Sequence, residues 1–350
     1  MKVVRVGKRL VGEGQPCLIA AEVGINHNGD IALAHRSIDA AVEAGADALK
    51  FQNYRTEDFI SDRSLIYEYV TQGKTVVESQ YDMFKRCELE PRQLSELREH
   101  CDRRGVIFFS TPSSESGIGD LIKAGSPLLK NGSDYLVHLP LIRAMARTGL
   151  PTVISTGMSD EEEIHDAVQA FRGAGGESLI ILHCTSSYPT PPEDVHLRKI
   201  STLANKFDCP VGLSDHTDGT IAAIGALALG ACLIEKHFTL DKKLPGPDHR
   251  FSADGAEFRL LVDSMRTLEK NLGSAELGPA ASEKFGRHNY RLSCVAARQL
   301  SSGHRLESSD VVFRRPGNGF PPKALDGLVH RQLVRDVPSG HVFGVGDFAG

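Results

Sequence analysis

The chain has 350 residues, a mass of 38.0 kDa, 41% apolar and 24% charged residues, and a net charge of −5. This is globular composition, enough for one large barrel plus a small module, and it excludes a disordered chain. The slight acidity excludes a broad nucleic-acid surface, and no run approaches the ~20 apolar residues of a membrane-spanning helix.

Eight apolar runs bounded by Gly or Pro follow in chain order: CLIAAEV, ADALKFQ, GVIFFST, SPLLKNGS, PTVISTGM, SLIILHCTS, PVGLSDHT and ACLIEKHFT. Continuous runs of this kind suit strands buried on both faces. The segments between them are amphipathic, as in IALAHRSIDAAVEAGA and SDEEEIHDAVQAFRGAGG, and several end in a Gly C-cap signal. Eight strand–helix units in this length predict a (β/α)8 barrel over residues 1–272, closed by AEFRLLVDSMRTLEKNL. Residues 54–80 are an insertion, expected as a lid over the barrel mouth. Residues 273–289, rich in Gly, Ala and Ser, read as a linker. Residues 290–350 carry short β-like segments separated by turns and predict a small β-rich module. No short repeat and no low-complexity tract is read in the chain. Seven cysteines are scattered without a CxxC and the start lacks an apolar signal region, so a cytoplasmic protein without disulfides is expected.

Barrel active sites lie at the C-terminal strand ends, and here those ends are polar. They carry Glu22; Lys50 and Gln52; Ser110 and Thr111; Lys130 and Ser133; Ser155 and Thr156; His183, Thr185 and Ser186; Ser214, Asp215 and His216; Lys236 and His237. Each Ser or Thr is equally a helix cap. Three lysines ending apolar strands call for anions, and Lys50 and Lys130 with the hydroxyls suit a phosphate or carboxylate. A lone His at a strand end is more often structural than a ligand. His216 and His237 end neighbouring strands beside Glu22 and Asp248, which favours a metal. Two imidazoles without a third protein ligand suit Mn2+ or Mg2+ completed by water and substrate. His183 reads as core, His249 as a turn residue, and Cys184 as an inert buried thiol.

The motifs AEVGINHNG, ALKFQ, FFSTP, VISTGM, HCTSSYPTPPED, GLSDHT, EKHFTLD and GPDHRFS together resemble the sialic acid synthase family. FRRPGNG resembles that family's C-terminal SAF, or antifreeze-like, domain. The resemblance spans nearly the whole chain. It implies condensation of phosphoenolpyruvate with an open-chain N-acylated aminohexose to a nine-carbon 2-keto sugar acid and phosphate. It places Lys50, Lys130, Ser133, Ser155, Ser186 and Ser214 on phosphoenolpyruvate. It places a divalent metal, usually Mn2+ with Mg2+ or Co2+ as alternatives, on His216 and His237. It turns Glu22, Gln52, Tyr188 and Asp248 toward the sugar or a metal-bound water, with Glu22 a candidate base. It implies a domain-swapped homodimer in which Arg315 reaches the sugar's N-acyl group in the neighbouring barrel. The chain departs from the family pattern at Ser186, Tyr135 and TPSSES. N-acetylmannosamine, giving N-acetylneuraminate, is the first expected acceptor, with diacetamido-trideoxyhexoses giving legionaminate or pseudaminate close behind. A metal-dependent aldolase or another phosphoenolpyruvate–sugar synthase on the same barrel, and a carbohydrate-binding protein, are the competing expectations.

Overall fold

The computed structural model describes residues 3–349. The chain divides into two compact units, Met1–Gly273 and Ser274–Gly350.

The first unit opens with an antiparallel hairpin, β1 (Val3–Val6) and β2 (Arg9–Gly12). The barrel strands are β3 (Leu18–Gly24), β4 (Ala48–Asn53), β7 (Ile107–Pro112), β8 (Leu129–Asn131), β9 (Thr152–Ser155), β10 (Leu179–Cys184), β11 (Val211–Asp215) and β12 (Leu233–His237). They close a barrel of eight parallel strands, and β12 pairs with β3. This is the predicted (β/α)8 architecture. Every residue of β3, β10, β11 and β12 is buried, which is why these runs begin apolar without alternation.

The two faces of each strand do different work. Ile19, Ala21, Val23, Leu49 and Phe51 pack outward in the large core shared with the helices. Leu18, Ala20, Ala48, Phe109, Val153, Ile180, Leu182 and Leu233 fill the barrel interior. Val4, Val6 and Val11 of the first hairpin belong to that interior cluster, so the hairpin plugs the end where the strands begin. The sequence reading missed this hairpin because its strands are only four residues long. At the other end of the strands the interior positions turn polar.

The insertion between β4 and β7 is ordered structure. It contains a short helix, Thr56–Phe59, and a hairpin of β5 (Ile66–Thr71) and β6 (Lys74–Ser79). Thr71 and Gln72 at its tip donate to the carbonyls of Leu244 and Lys243. The insertion is thereby tied to the loop that carries Asp248.

In the second unit, β13 (Ser293–Ala296) pairs antiparallel with β14 (Val311–Arg314). The expected linker is not featureless, since Lys284–Asn289 form a helix and Phe285 packs edge-on against Tyr290. The expectation of no short repeat is wrong here. Arg298, Gly303, His304 and Asp310 recur as Arg335, Gly340, His341 and Asp347. Asp310 meets Arg298 at 2.7 Å and His304 at 2.7 Å. Asp347 meets Arg335 at 2.6 Å and His341 at 2.9 Å. Leu300 and Val337 exchange both backbone hydrogen bonds at 2.9 Å, which joins the two copies symmetrically. The copies are short and share few identities, so the repeat becomes evident only from the matching ion clusters.

Candidate active site

A cavity of about 630 Å3 opens at the C-terminal ends of the barrel strands. It is lined by all twelve first-unit residues to which the family resemblance gives a role: Glu22, Lys50, Gln52, Lys130, Ser133, Ser155, Ser186, Tyr188, Ser214, His216, His237 and Asp248. Arg315 belongs to the second unit, where its exposed guanidinium lies 5.2 Å over the Tyr290 ring.

The floor is a buried charge cluster. Lys50 Nζ lies 2.8 Å from Glu22 Oε2 and 3.4 Å from Glu235 Oε1. Lys130 Nζ lies 3.8 Å from the same Glu235 oxygen and donates to the Asn131 carbonyl. Ser214 Oγ donates to Glu235 Oε1 at 3.1 Å, and Gln52 Nε2 donates to Glu22 Oε1 at 3.3 Å. Burial pushes the Glu22 carboxyl up to about 7, against the pull of Lys50. Burial also opposes the charge on Glu235, but Lys130 and Lys50 outweigh it and hold that carboxyl below its ordinary value. For Lys50 burial disfavours the cation, and the two carboxylates overcome it and raise it. Lys130 is lowered, because burial dominates over Glu235.

Around this floor several hydroxyls lack partners. Ser155 Oγ, Thr111 Oγ1 and Ser113 Oγ are buried without a hydrogen bond, as is Glu235 Oε2. Such groups are costly unless a ligand satisfies them. Ser133 Oγ accepts from the Gly157 amide at 3.0 Å. A Cβ at Gly157 would come within 2.3 Å of Ser186 Oγ and 2.7 Å of Ser133 Oγ, so glycine there lets the two hydroxyls converge.

The imidazoles of His216 and His237 stand with ring centroids 5.4 Å apart. His216 Nδ1 lies 2.9 Å from the Thr185 carbonyl. A carbonyl only accepts, so Nδ1 carries the proton and Nε2 keeps its lone pair. Burial holds His237 well below its ordinary value, and its buried Nδ1 has no hydrogen-bond partner. A neutral imidazole with an unused nitrogen is the form a metal binds. Asp248 Oδ2 is 3.8 Å from that nitrogen, and burial raises its carboxyl to about 6. No cluster of three or more His, Cys, Asp or Glu side chains arranged for a metal occurs among the described residues. With His216 Nε2 and His237 Nδ1 left without a hydrogen bond, the donor set fits a divalent ion completed by water and substrate. Tyr188 packs on this pair, 4.2 Å from the His216 ring.

Other candidates have structural roles. His183 Nε2 bonds the Val195 carbonyl at 2.5 Å, and His249 sits between Thr239 and Asn28. Lys236 does not await a ligand anion, because Asp215 is its partner at 2.8 Å. The inert-thiol reading of Cys184 needs correction. It lines the cavity, with Sγ 3.8 Å from His216 Nδ1. Burial opposes its thiolate, but His216 outweighs burial and brings the thiol to about 7.

The sequence reading missed Glu235. It lies two residues before His237, and strand alternation puts both on one face, so the signal was there. It also missed the apolar wall of Tyr54, Phe59, Tyr67, Met83 and Phe84, which come from separate short segments between β4 and β7. Tyr54, Phe59 and Phe84 pack edge-to-face at 5.2 to 5.5 Å.

Glu22 sets a pH dependence in the metal- and ligand-free protein. Its folded value lies above its ordinary one, so folding favours the protonated form. That contribution is complete below about pH 4.5 and is lost as pH rises to about 7. The change is about 3 kcal/mol, at 1.36 kcal/mol per unit. Glu22→Gln is expected to flatten the urea-unfolding stability profile across this window. An unchanged slope would count against the raised value.

A parallel-stranded (β/α)8 barrel that gathers two buried lysines, several hydroxyls and two imidazoles at its C-terminal strand ends is a barrel of the enzyme type. The chain belongs to the NeuB family, whose profile matches residues 37–277. It is 39% identical to the N,N'-diacetyllegionaminic acid synthase of Legionella pneumophila over 333 residues, 94% of each chain. It is 33% identical to a pseudaminic acid synthase of Campylobacter jejuni, over 94% of this chain and 96% of that one. The crystal structure of an N-acetylneuraminic acid synthetase from Leptospira borgpetersenii, in complex with citrate, superposes with a TM-score of 0.73. That protein is 34% identical, and the match covers 81% of this chain and 95% of that one.

Proposed function

We propose that this protein is a synthase that condenses phosphoenolpyruvate with the open-chain form of an N-acylated aminohexose and water, giving a nine-carbon 2-keto sugar acid and phosphate. The observation that carries this reading is the pair of buried lysines, Lys50 and Lys130, ringed by Ser133, Ser155, Ser186 and Ser214 and adjoining His216 and His237. The lysines neutralise the phosphate and carboxylate of phosphoenolpyruvate, and the hydroxyls fix its orientation. A divalent ion held by His216 and His237, Mn2+ with Mg2+ or Co2+ as alternatives, would supply Lewis-acid polarisation of the sugar aldehyde. Tyr188, Gln52 and Asp248 hold the sugar chain. C3 of phosphoenolpyruvate bonds to the aldehyde carbon with the electrons of its C2–C3 double bond, which leaves a cation at C2, and the aldehyde oxygen takes a proton from solvent. Water adds at C2 and gives a proton to Glu22, whose value near 7 suits a base at neutral pH. The C2–O bond to phosphate then breaks as the new C2 hydroxyl passes its proton to the departing phosphate, leaving the 2-keto acid and inorganic phosphate.

The first expected acceptor is N-acetylmannosamine. A second acceptor reading, a diacetamido-trideoxyhexose, is favoured by the aromatic wall of Tyr54, Phe59 and Phe84. Methyl and acetamido groups match that wall better than hydroxyls do. Phosphate release is measured with phosphoenolpyruvate and each sugar in turn, with the bridging oxygen of phosphoenolpyruvate labelled. Turnover with one of them and label in phosphate is expected. No turnover with any, or label retained in the keto acid, rejects the reading.

The second unit is proposed as an SAF domain and the assembly as a domain-swapped homodimer. Its support is the exposed Arg315 on a Pro- and Gly-bound loop, together with ten Lys and Arg against seven Asp and Glu in residues 274–350, in a chain of net charge −5. Arg315→Ala is expected to raise KM for the sugar far more than for phosphoenolpyruvate. At a sugar concentration too low for Arg315→Ala chains to turn over alone, mixing them with inactive His237→Ala chains should restore about a quarter of normal activity, because half the dimers are mixed and each has one good site of two. No recovery after verified exchange rejects the swapped arrangement. All seven cysteines are free thiols, and no helix among the described residues is long and apolar enough to cross a membrane. Both facts support a cytoplasmic setting.

A further inference from the structure

We propose that the buried Asp215–Lys236 ion pair is the positioning element of the two-imidazole metal site, clamping the backbone on both sides of His216 to the residue that precedes His237. The inference rests on the metal reading of His216 and His237.

The register of two barrel strands carries the argument. In the β11–β12 ladder Ser214 lies opposite Glu235, and Asp215 lies opposite Lys236. Ser214 and Glu235 face the cavity and bond each other. His216 and His237 face it one step further along. Asp215 and Lys236 fall between these two inward layers, so alternation turns them to the other face. Neither lines the cavity, and they are 2% and 4% exposed.

Their bonds form a closed set. Lys236 Nζ donates to Asp215 Oδ2 at 2.8 Å and to the Thr217 carbonyl at 2.8 Å. Asp215 Oδ1 accepts from the Thr217 amide at 2.9 Å and from its hydroxyl at 2.8 Å. The residues before and after His216 are thus both fastened to Lys236. The Thr185 carbonyl holds the His216 ring at Nδ1. Strand position and ring orientation at His216 are therefore held by separate bonds.

An ion pair is a costly way merely to join two strands. Burying both charges requires a desolvation penalty that a well-packed apolar pair avoids, and such replacements are often neutral or stabilising. What an apolar pair cannot supply is direction. Hydrogen bonds to both flanks of His216 set an angle and a distance, whereas apolar contacts set only proximity. Partners that act through a metal ligand typically change metal affinity by about 10–100-fold when removed.

The experiment separates positioning from stability. Asp215→Asn and Lys236→Met are combined in the full-length protein, so that neither charge is left unpaired and Asn still accepts from Thr217. Mn2+ affinity is read by electron paramagnetic resonance, folding by circular dichroism and thermal unfolding, and phosphoenolpyruvate affinity in the absence of metal by calorimetry. The expected result is a folded protein with about 10–100-fold weaker Mn2+ binding and unchanged phosphoenolpyruvate binding. A folded double variant that binds Mn2+ within twofold of the parent overturns the proposal. Should the double variant not fold, Thr217→Val decides, since it keeps the ion pair and removes one bond of the clamp. A loss of about threefold or more in Mn2+ affinity supports the clamp; unchanged affinity overturns it. Parent protein that binds no Mn2+ overturns the metal reading, and the proposal with it.

Discussion

His237→Ala is expected to abolish turnover, by about 1,000-fold or more, while leaving the protein folded. The loss corresponds to several kcal/mol of Lewis-acid stabilisation, at 1.36 kcal/mol per tenfold. Stability should hardly change, because His237 makes no hydrogen bond at Nδ1 and burial already holds its ring uncharged. Its ring does pack 5.1 Å from Phe251 and 5.9 Å from Tyr188, and those contacts are the part alanine removes. Excess chelator should reproduce the inactive state in the parent protein, and Mn2+ should reverse it there but not in the variant. Full turnover by the variant, or by a metal-free parent, would reject the two-imidazole site. Circular dichroism and thermal unfolding check that the fold persists.

Lys50→Met should damage both activity and stability, and the reason lies in the same charge cluster. Lys50 stands between Glu22 and Glu235, all three buried. Removing the cation leaves two carboxylates facing each other in a cavity that burial already makes hostile to charge. Breaking a buried pair in this way costs about 3–5 kcal/mol. The melting temperature should fall by roughly 6–20 °C, at about 2–4 °C per kcal/mol for a domain of this size. Affinity for phosphoenolpyruvate falls too, because only Lys130 remains to meet its charge. The defect should be pH-dependent. Glu22 binds its proton tightly in the folded state, so lowering the pH from 8 toward 5.5 neutralises one of the stranded carboxylates and narrows the stability gap to the parent. A second substitution, Glu235→Gln, should recover stability without recovering phosphoenolpyruvate binding. A Lys50→Met protein that melts with the parent, or binds phosphoenolpyruvate equally well, would remove Lys50 from its proposed place.

Much of this arrangement is written locally. Apolar runs spaced by amphipathic helices specify a barrel, because a strand buried on both faces and a helix buried on one each leave a periodic record. The polar ends of those runs then mark the mouth, and twelve of the thirteen candidate residues line one cavity. Strand alternation, read one step further, would have placed Glu235 beside His237 and turned Lys236 away to Asp215. What the sequence could not fix by itself are partnerships between distant segments. Glu22, Lys50 and Glu235 come from three strands, and only barrel closure of β12 onto β3 makes them a cluster. The protonation states follow from that closure, since burial and neighbouring charge are properties of the packed state. The same holds for Cys184, whose thiol is inert or ionisable according to whether His216 is near it. It holds also for the insertion, whose rings face the cavity because the tip of β5 and β6 is tied to residues 243 and 244. Short-range periodicity records which side of an element is buried; which buried groups meet is decided by contacts the local pattern does not encode.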